Sequence, residues 1–239
     1  MSKLLIVIPA YNEQDNIVRV VTELAEHYPQ YDYVVVNDGS RDRTAALCRA
    51  HGFRLIDLPV NLGLAGAFQT GLRYAAENGY DCALQFDGDG QHQPKYIAPM
   101  LKLLEEGADI VIGSRFITVK KPKSLRMLGS YLISWAIRLT TGRAICDPTS
   151  GMRMYSRRLL EEFAQNLNYG PEPDTISYLI KNGAVVKELQ VEMAERTSGQ
   201  SYFNLMRSAE YMVKMGLSIL LIQWFRKRDT TTPYPERSL

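Results

Sequence analysis

Residues 86–94 read FDGDGQHQP. Asp87 and Asp89 are separated by one glycine, a second glycine follows, and Gln91 and His92 come next, after an apolar run. Asp-Gly is a turn signal, so this segment could simply end a strand. A calcium loop of the EF-hand type is excluded. Counted from Asp87, its obligatory glycine and glutamate positions hold His92 and Ala98. A magnesium or manganese site fits better. Such an ion takes one or two carboxylates and fills its shell with substrate phosphates and water. Carboxylates at i and i+2 of an extended segment address the same side. One can meet the ion while the other orients a sugar hydroxyl, an arrangement suited to a nucleoside diphosphate.

The elements that must position these carboxylates follow from the apolar pattern. LLIVIP (4–9), YVVV (33–36), FRLIDL (53–58), CALQF (82–86) and DIVIG (109–113) are short continuous apolar runs. Such runs suit buried strands of a parallel sheet covered on both faces. Helices are expected from near Asp15, from near Asp42, over 63–78 and over 94–106, the last opened by Pro94 and stopped by Gly107. This alternation predicts a doubly wound, mostly parallel α/β sheet. Ligands bind beyond the carboxyl ends of such strands. The polar clusters AYNE, NDGSRDRT, NLGLAG, DGDGQH and GSR all fall there.

Other nucleotide motifs are missing. No P-loop occurs, and GLAGAFQTG (63–71) is not the dinucleotide fingerprint. Gly71 is expected to allow close helix–sheet packing, whereas Gly63 and Gly66 could turn backbone N–H groups toward a phosphate.

The rest of the chain differs in character. Residues 114–146 carry Arg115, Lys120, Lys121, Lys123, Arg126, Arg138 and Arg143 and no acid. Within them an apolar helix is expected from Ser124 to Gly142. DPTSGMRMYSR (147–157) follows, then a helix over 174–182, a strand over 185–191 and a last helix over 203–228. This last helix contains YMVKMGLSILLIQWFRKR (211–228). Its densest apolar part is too short to span a bilayer core of ~30 Å. Trp224 and the cations Arg226, Lys227 and Arg228 suit a membrane interface with anionic lipid, and Trp135 offers a second contact. The expected division is a catalytic domain over 1–202, an interfacial helix over 203–228 and a flexible tail over 229–239.

Bulk properties set the frame. Of 239 residues, 46% are hydrophobic and 23% charged, which argues for a globular chain. The net charge of +2 argues against nucleic acid as a partner. Cys48, Cys82 and Cys146 are scattered, as in reduced cytoplasmic proteins. His27, His51 and His92 give no zinc-ligand spacing. The first apolar run is too short for a signal peptide.

In this order and spacing, IPAYNE (8–13), VNDGSRDRT (36–44), NLGLAGA (61–67) and DGDGQH (87–92) resemble the family 2 glycosyltransferases of GT-A fold. GSR (113–115) and DPTSGMRMYSR (147–157) narrow the likeness to the polyprenyl-phosphate branch, which includes the dolichol-phosphate mannosyltransferases. The resemblance implies an inverting, metal-dependent transfer of a sugar from a nucleotide sugar, a UDP-sugar above all, to a polyprenyl (undecaprenyl) phosphate. It implies a chain peripheral at the cytoplasmic face of the membrane, with an integral membrane partner left open.

By the same resemblance Pro9, Tyr11, Glu13, Val36 and Asp38 would line base and ribose, and Gly63, Asp87, Gly88 and Asp89 would complete the donor site. Asp89, Gln91 and Asp87 would hold Mg²⁺ or Mn²⁺. Arg115 and Arg153 would grip phosphate oxygens, and Asp174, nine residues before Gly183, would be a functional carboxylate with Glu172 as its neighbour and rival. Catalysis would thus rest on Asp89, Arg115, Arg153 and Asp174. Asn37 stands where the family often has Asp, and Tyr202 where many members carry Lys. A saccharide hydroxyl as acceptor, or a sugar-nucleotide-binding subunit without activity, are the alternatives. A phosphate acceptor is already an anion and needs no base, so neither Asp174 nor His92 is required as one.

Overall fold

The computed structural model describes residues 2–122, 125–165, 172–194 and 205–221. Seven strands form one sheet: β1 (Leu4–Ala10), β2 (Asp32–Asp38), β3 (Leu55–Leu58), β4 (Cys82–Gln85), β5 (Ile110–Ser114), β6 (Arg153–Ser156) and β7 (Val186–Gln190). Their spatial order is β3-β2-β1-β4-β6-β5-β7. All neighbours run parallel except β6, which is antiparallel to both β4 and β5. The eight helices among the described residues are α1 (Ile17–His27), α2 (Thr44–Ala50), α3 (Gly63–Glu77), α4 (Ile97–Glu105), α5 (Leu125–Thr141), α6 (Arg157–Gln165), α7 (Pro173–Lys181) and α8 (Leu205–Leu220). The five strands expected up to residue 113 all form, as do the helices between them.

Every residue of β1 is buried, as a central strand covered on both faces requires. Leu4, Ile6 and Ile8 face a core closed by α1 and α4, and Leu5 and Val7 face one closed by α3, α5, α6 and α7. α1 buries Ile17, Val20, Val21 and Leu24, the i, i+3, i+4, i+7 stripe of an amphipathic helix. Gly71 lets α3 approach β1: a Cβ there would stand 2.1 Å from Val7 Cγ1. Pro94 opens a short 3₁₀ turn ahead of α4, and Gly107 closes that helix with φ of +94°.

β6 and α6 are not expected from the sequence. Because β6 runs backwards, its first residue, Arg153, pairs with Gln85 at the end of β4 and with Ile112 near the end of β5. The 147–152 loop therefore reaches the same sheet edge as DGDG.

α5 and α8 pack closely: a Cβ on Gly129 would stand 2.5 Å from Met212 Cγ. Ile133, Ala136 and Ile137 of α5 and Met215 and Ile219 of α8 are buried. Their other faces expose Leu128, Tyr131, Leu132, Trp135, Leu139, Val213 and Leu217. Among the described residues no helix is long and apolar enough to cross a membrane. Lys123 and Ser124, Tyr202, the segment 222–228 with Trp224 and its cations, and the tail 229–239 lie outside the described residues.

Candidate active site

The loops after β1 and β2 clasp one another. Asn12, with φ of +56°, donates its N–H to Ser40 Oγ (2.9 Å) and accepts the Arg41 N–H on Oδ1 (2.9 Å). Glu13 N–H donates to Thr44 Oγ1 (2.9 Å), and Gln14 N–H to Asp42 Oδ2 (3.1 Å). Tyr11 and Glu13 thus sit on a braced loop at the sheet edge. Pro9 pairs with Val36 in the strands below. Val36 is fully buried and its side chain belongs to the core. Asp38 is 3% exposed and accepts the Leu62 N–H on Oδ1 (2.6 Å), tying the loop after β3 to β2. Gly63 takes φ of +78°, and its N–H donates to Asn61 Oδ1 (3.2 Å). Gly66 instead packs on Leu62, whose Cβ would lie 2.5 Å from an added Cβ. Asn37 is buried and donates to Asp57 Oδ1 (2.6 Å).

At the end of β4 the chain turns through DGDG. Gly90 has φ of +79°, and the Arg19 guanidinium lies across it, with Nη2 2.2 Å from where a Cβ would stand. Asp89 Oδ1 accepts the Gln91 N–H (3.0 Å), which brings the Asp89 carboxylate and Gln91 together. Gly88 passes close to β1, where an added Cβ would be 3.4 Å from the Pro9 carbonyl oxygen. Asp87 lies against Gly151, whose added Cβ would be 2.7 Å from Asp87 Oδ2. Two carboxylates and an amide oxygen are hard oxygen donors, the set that Mg²⁺ or Mn²⁺ takes with substrate phosphates. No group of three His, Cys, Asp or Glu suited to a metal occurs among the described residues. A site here therefore needs the diphosphate to complete it, and the residues present fit that demand.

The 147–152 loop joins these parts. Asp147 is fully buried and receives a fork from Arg115, through Nε (2.6 Å) and Nη2 (2.9 Å). Burial alone would raise the Asp147 carboxyl, but hydrogen bonds and charge from Arg115 hold it below the usual carboxylate value. Glu188 of β7 secures the loop by accepting the N–H groups of Cys146 (2.8 Å) and Asp147 (3.0 Å). Ser150 Oγ donates to the Gly113 carbonyl (2.5 Å).

Arg153 is 1% exposed and lies beneath this loop. Its Nε donates to the Ser150 carbonyl (2.8 Å) and its Nη2 to the Pro148 carbonyl (2.7 Å). It braces the loop from inside, whereas Arg115 is partly open to solvent. Lys121 is a cation that its residue type alone does not single out. It donates to Ser130 Oγ (2.9 Å) and Ser134 Oγ (3.3 Å) and lies over the Tyr131 ring at 4.9 Å. Burial lowers its affinity for a proton.

Asp174 sits in the first turn of α7, covered by α8. Ser218 Oγ donates to its Oδ2 (2.7 Å), and the Tyr211 hydroxyl donates to Glu172. Burial and the Glu172 charge push the Tyr211 phenol far up. Both carboxylates thus tie α7 to α8. The loop thereby gathers Asp87, Arg115 and Arg153, while Asp174 is engaged by Ser218 of α8. Asp147, Gly151 and Glu188 are the parts that residue type alone does not reveal. The sole sequence signal for the first two is the DPTSG segment itself.

The chain is 30% identical over 227 residues to polyprenol monophosphomannose synthase of Mycolicibacterium smegmatis, covering 88% of this chain and 84% of that one. It is 31% identical over 216 residues to undecaprenyl-phosphate mannosyltransferase of Micrococcus luteus, covering 83% and 86%. It is 32% identical over 184 residues to UDP-N-acetylglucosamine–dolichyl-phosphate N-acetylglucosaminyltransferase of Methanococcus voltae, covering 68% and 72%. In fold it resembles glucosyl-3-phosphoglycerate synthase of Mycobacterium tuberculosis, crystallised with Mn²⁺ and UDP-glucose, with a TM-score of 0.66, 20% identity and coverage of 92% and 80%. The sheet is thus of GT-A type. Residues 5–164 match the Glycosyl transferase family 2 model, and the chain belongs to that family.

Proposed function

We propose that the protein transfers a sugar, with inversion, from a nucleoside-diphosphate sugar to a polyprenyl phosphate, with a UDP-sugar as donor and undecaprenyl phosphate as acceptor. The observation that carries this is the placement of Asp87 and Asp89 beside the clasped loops of β1 and β2, with the Arg115–Asp147 pair across the 147–152 loop. The names of the relatives support the acceptor class.

An acceptor phosphate oxygen attacks the anomeric carbon. The new C–O bond forms as the bond to the diphosphate breaks, and the nucleoside diphosphate leaves with the electron pair. The acceptor is already an anion, so no proton has to be removed; positioning and charge compensation are the chain's task. The partly exposed Arg115, its guanidinium oriented by the fork to Asp147, supplies a cation at the edge. A divalent ion held by Asp89, Asp87 and Gln91 would offset charge on the departing diphosphate. Tyr11, Glu13 and the Asp38-pinned loop form the bed for base and ribose.

The apolar faces of α5 and α8 support attachment to the inner face of a membrane. Leu128, Leu132, Trp135 and Leu139 form one exposed stripe on α5, inside the acid-free stretch 114–146. Such a face suits a headgroup boundary with anionic lipid, the depth at which a lipid phosphate lies. An integral membrane partner is the other occupant such a face would suit.

The test is a panel of purified protein with Mg²⁺ or Mn²⁺, several UDP- and GDP-sugars, and undecaprenyl phosphate against soluble glycans. Sugar appearing on undecaprenyl phosphate from a UDP-sugar bears out the proposal. Transfer to glycans alone, or binding without turnover, replaces it.

A further inference from the structure

Gln190 of β7 pins the loop that runs from Arg115 to Lys121. Its Oε1 accepts the N–H groups of Ile117 and Thr118 (2.9 Å each), and its Nε2 donates to the Arg115 carbonyl (3.0 Å). The cations at the two ends of this loop meet one ring: the Arg115 guanidinium carbon lies 5.0 Å from the Phe116 centroid and Lys121 Nζ 5.7 Å from it. An ammonium has three donors. Lys121 spends two on Ser130 and Ser134 of α5 and lies over the Tyr131 ring. Among the described residues no carboxylate comes within ion-pair distance of it. Asp147 and Glu188 act on it only from farther off. Asp147 is already held by Arg115, and Glu188 by the N–H groups of Cys146 and Asp147. A half-buried ammonium with neutral partners alone carries a desolvation cost that a bound anion would offset.

The same ammonium borders an apolar face. Ser130 and Ser134 stand one turn apart on α5, and Leu128, Tyr131, Leu132 and Trp135 beside them are each at least 50% exposed. A cation beside such a face matches one phosphate on a long hydrocarbon chain. We propose that Lys121 is a specificity-determining residue for the acceptor: with Arg115 it forms a two-cation seat for the phosphate of a polyprenyl phosphate, while the α5 face receives the hydrocarbon. The third N–H of Nζ meets a phosphate oxygen, and the two serines fix its direction before the lipid arrives. Arg115 alone suits any small phosphate; Lys121, at the apolar face, selects a lipid one. The inference rests on the proposed polyprenyl phosphate acceptor.

The experiment compares Lys121→Met, which removes the charge and keeps an unbranched side chain, with Lys120→Met, which removes the same charge from the exposed neighbour. Acceptor KM is measured with undecaprenyl phosphate. Binding without turnover is measured by flotation with phosphatidylcholine vesicles that contain or lack undecaprenyl phosphate, with inorganic phosphate as competitor. Mn²⁺-dependent UDP binding by calorimetry and melting temperature are recorded for each variant. Should Lys121→Met melt early, Lys121→Gln, which can still meet the serines, takes its place in the same comparisons.

Lys121→Met should raise the acceptor KM and weaken binding to the lipid-phosphate vesicles by about 10-fold or more, the scale of a hydrogen bond to a charged group. UDP binding and melting should stay at parent values, and Lys120→Met should behave as the parent. Acceptor KM and vesicle binding unchanged in Lys121→Met overturn the inference. So does an equal loss in Lys120→Met, which reduces the effect to surface charge, and so does inorganic phosphate that competes as strongly as the lipid. A parent that binds the lipid phosphate through Lys121 yet transfers no sugar to it keeps the seat and sinks the proposed reaction. A parent that neither binds nor uses the lipid phosphate ends both.

Discussion

Gly151 and Asp87 occupy each other's space: a Cβ on the glycine would stand 2.7 Å from the aspartate Oδ2. Gly151 has no left-handed backbone, so alanine is conformationally tolerable there, and the atoms nearest an added Cβ are those of the Asp87 carboxylate. Gly151→Ala should fold and melt near the parent temperature while turnover falls by about 10²-fold, the cost of a group moved by about 1 Å. Steady-state rates beside thermal melts check this, and unchanged rates would show that the Asp87 position is not critical.

Asp89 is half-buried on the turn, where its Oδ1 accepts the Gln91 N–H. Asp89→Ala should remove metal-dependent turnover with a stability change within about 0.5–1 kcal/mol, as for substitutions away from the core. Turnover that survives both the substitution and excess chelator argues against a metal at this site.

Asp147 and Arg115 make the pH-dependent pair. The Asp147 pKa is depressed in the folded protein, so its contribution is fully present above the carboxylate's ordinary value of 3.8 and is lost as pH falls through the lower folded value. Asp147→Asn leaves Arg115 without its forked partner. It should cost about 3 kcal/mol, the lower end for breaking a buried pair, because Arg115 is partly solvated. Urea unfolding from pH 7 downward should show parent and variant separated near neutrality and converging below pH 3.8.

Arg153 is a brace in this structure, so its loss should not act on the acceptor alone. Arg153→Lys keeps the charge but cannot donate to the carbonyls of Ser150 and Pro148 together in the same geometry. It should lower the melting temperature and weaken both Mn²⁺–UDP binding and acceptor use. A rise confined to the acceptor KM, with unchanged melting, would assign Arg153 to the acceptor phosphate after all.

The exposed stripe on α5 predicts a separable loss of membrane binding. Leu132 and Trp135 are 58% and 57% exposed, so Leu132→Glu with Trp135→Glu removes no core contact. The parent should float with anionic liposomes at low salt and release as salt rises, and the double variant should stay at the bottom with unchanged melting. A parent that never floats would assign the face to a protein partner.

The first five strands are legible because each is a continuous apolar run ended by a polar cluster, the pattern a doubly covered strand imposes. β6 is not. It has four residues, opens on an arginine, and owes its place to pairing with β4 and β5 across long stretches of chain. α6 buries Leu159, Leu160 and Phe163 beneath a surface of two arginines and two glutamates, a pattern overshadowed in sequence by the motif before it. Within the site, Asp87 and Asp89 stand out by type and spacing, and Gln91 only through the family resemblance. The need for glycine at 151 is not legible there, since it depends on where a distant loop meets Asp87. Arg153 is expected by resemblance to grip a phosphate, and only its register in β6 shows it to be internal.

The reversed strand also orders events in time. Both neighbours of β5, namely β6 and β7, come later in the chain, and β4 has β1 on one side and nothing on the other until residue 153 arrives. During synthesis from the amino terminus, a half-sheet of β1 to β4 can assemble while β5 waits unpaired. Such open edges invite intermolecular pairing. The ribosome must therefore deliver the segment that completes the catalytic edge before the sheet is safe from its neighbours. A nascent chain stalled before Arg153 should remain a chaperone client, and one extended past Gln190 should be released from it.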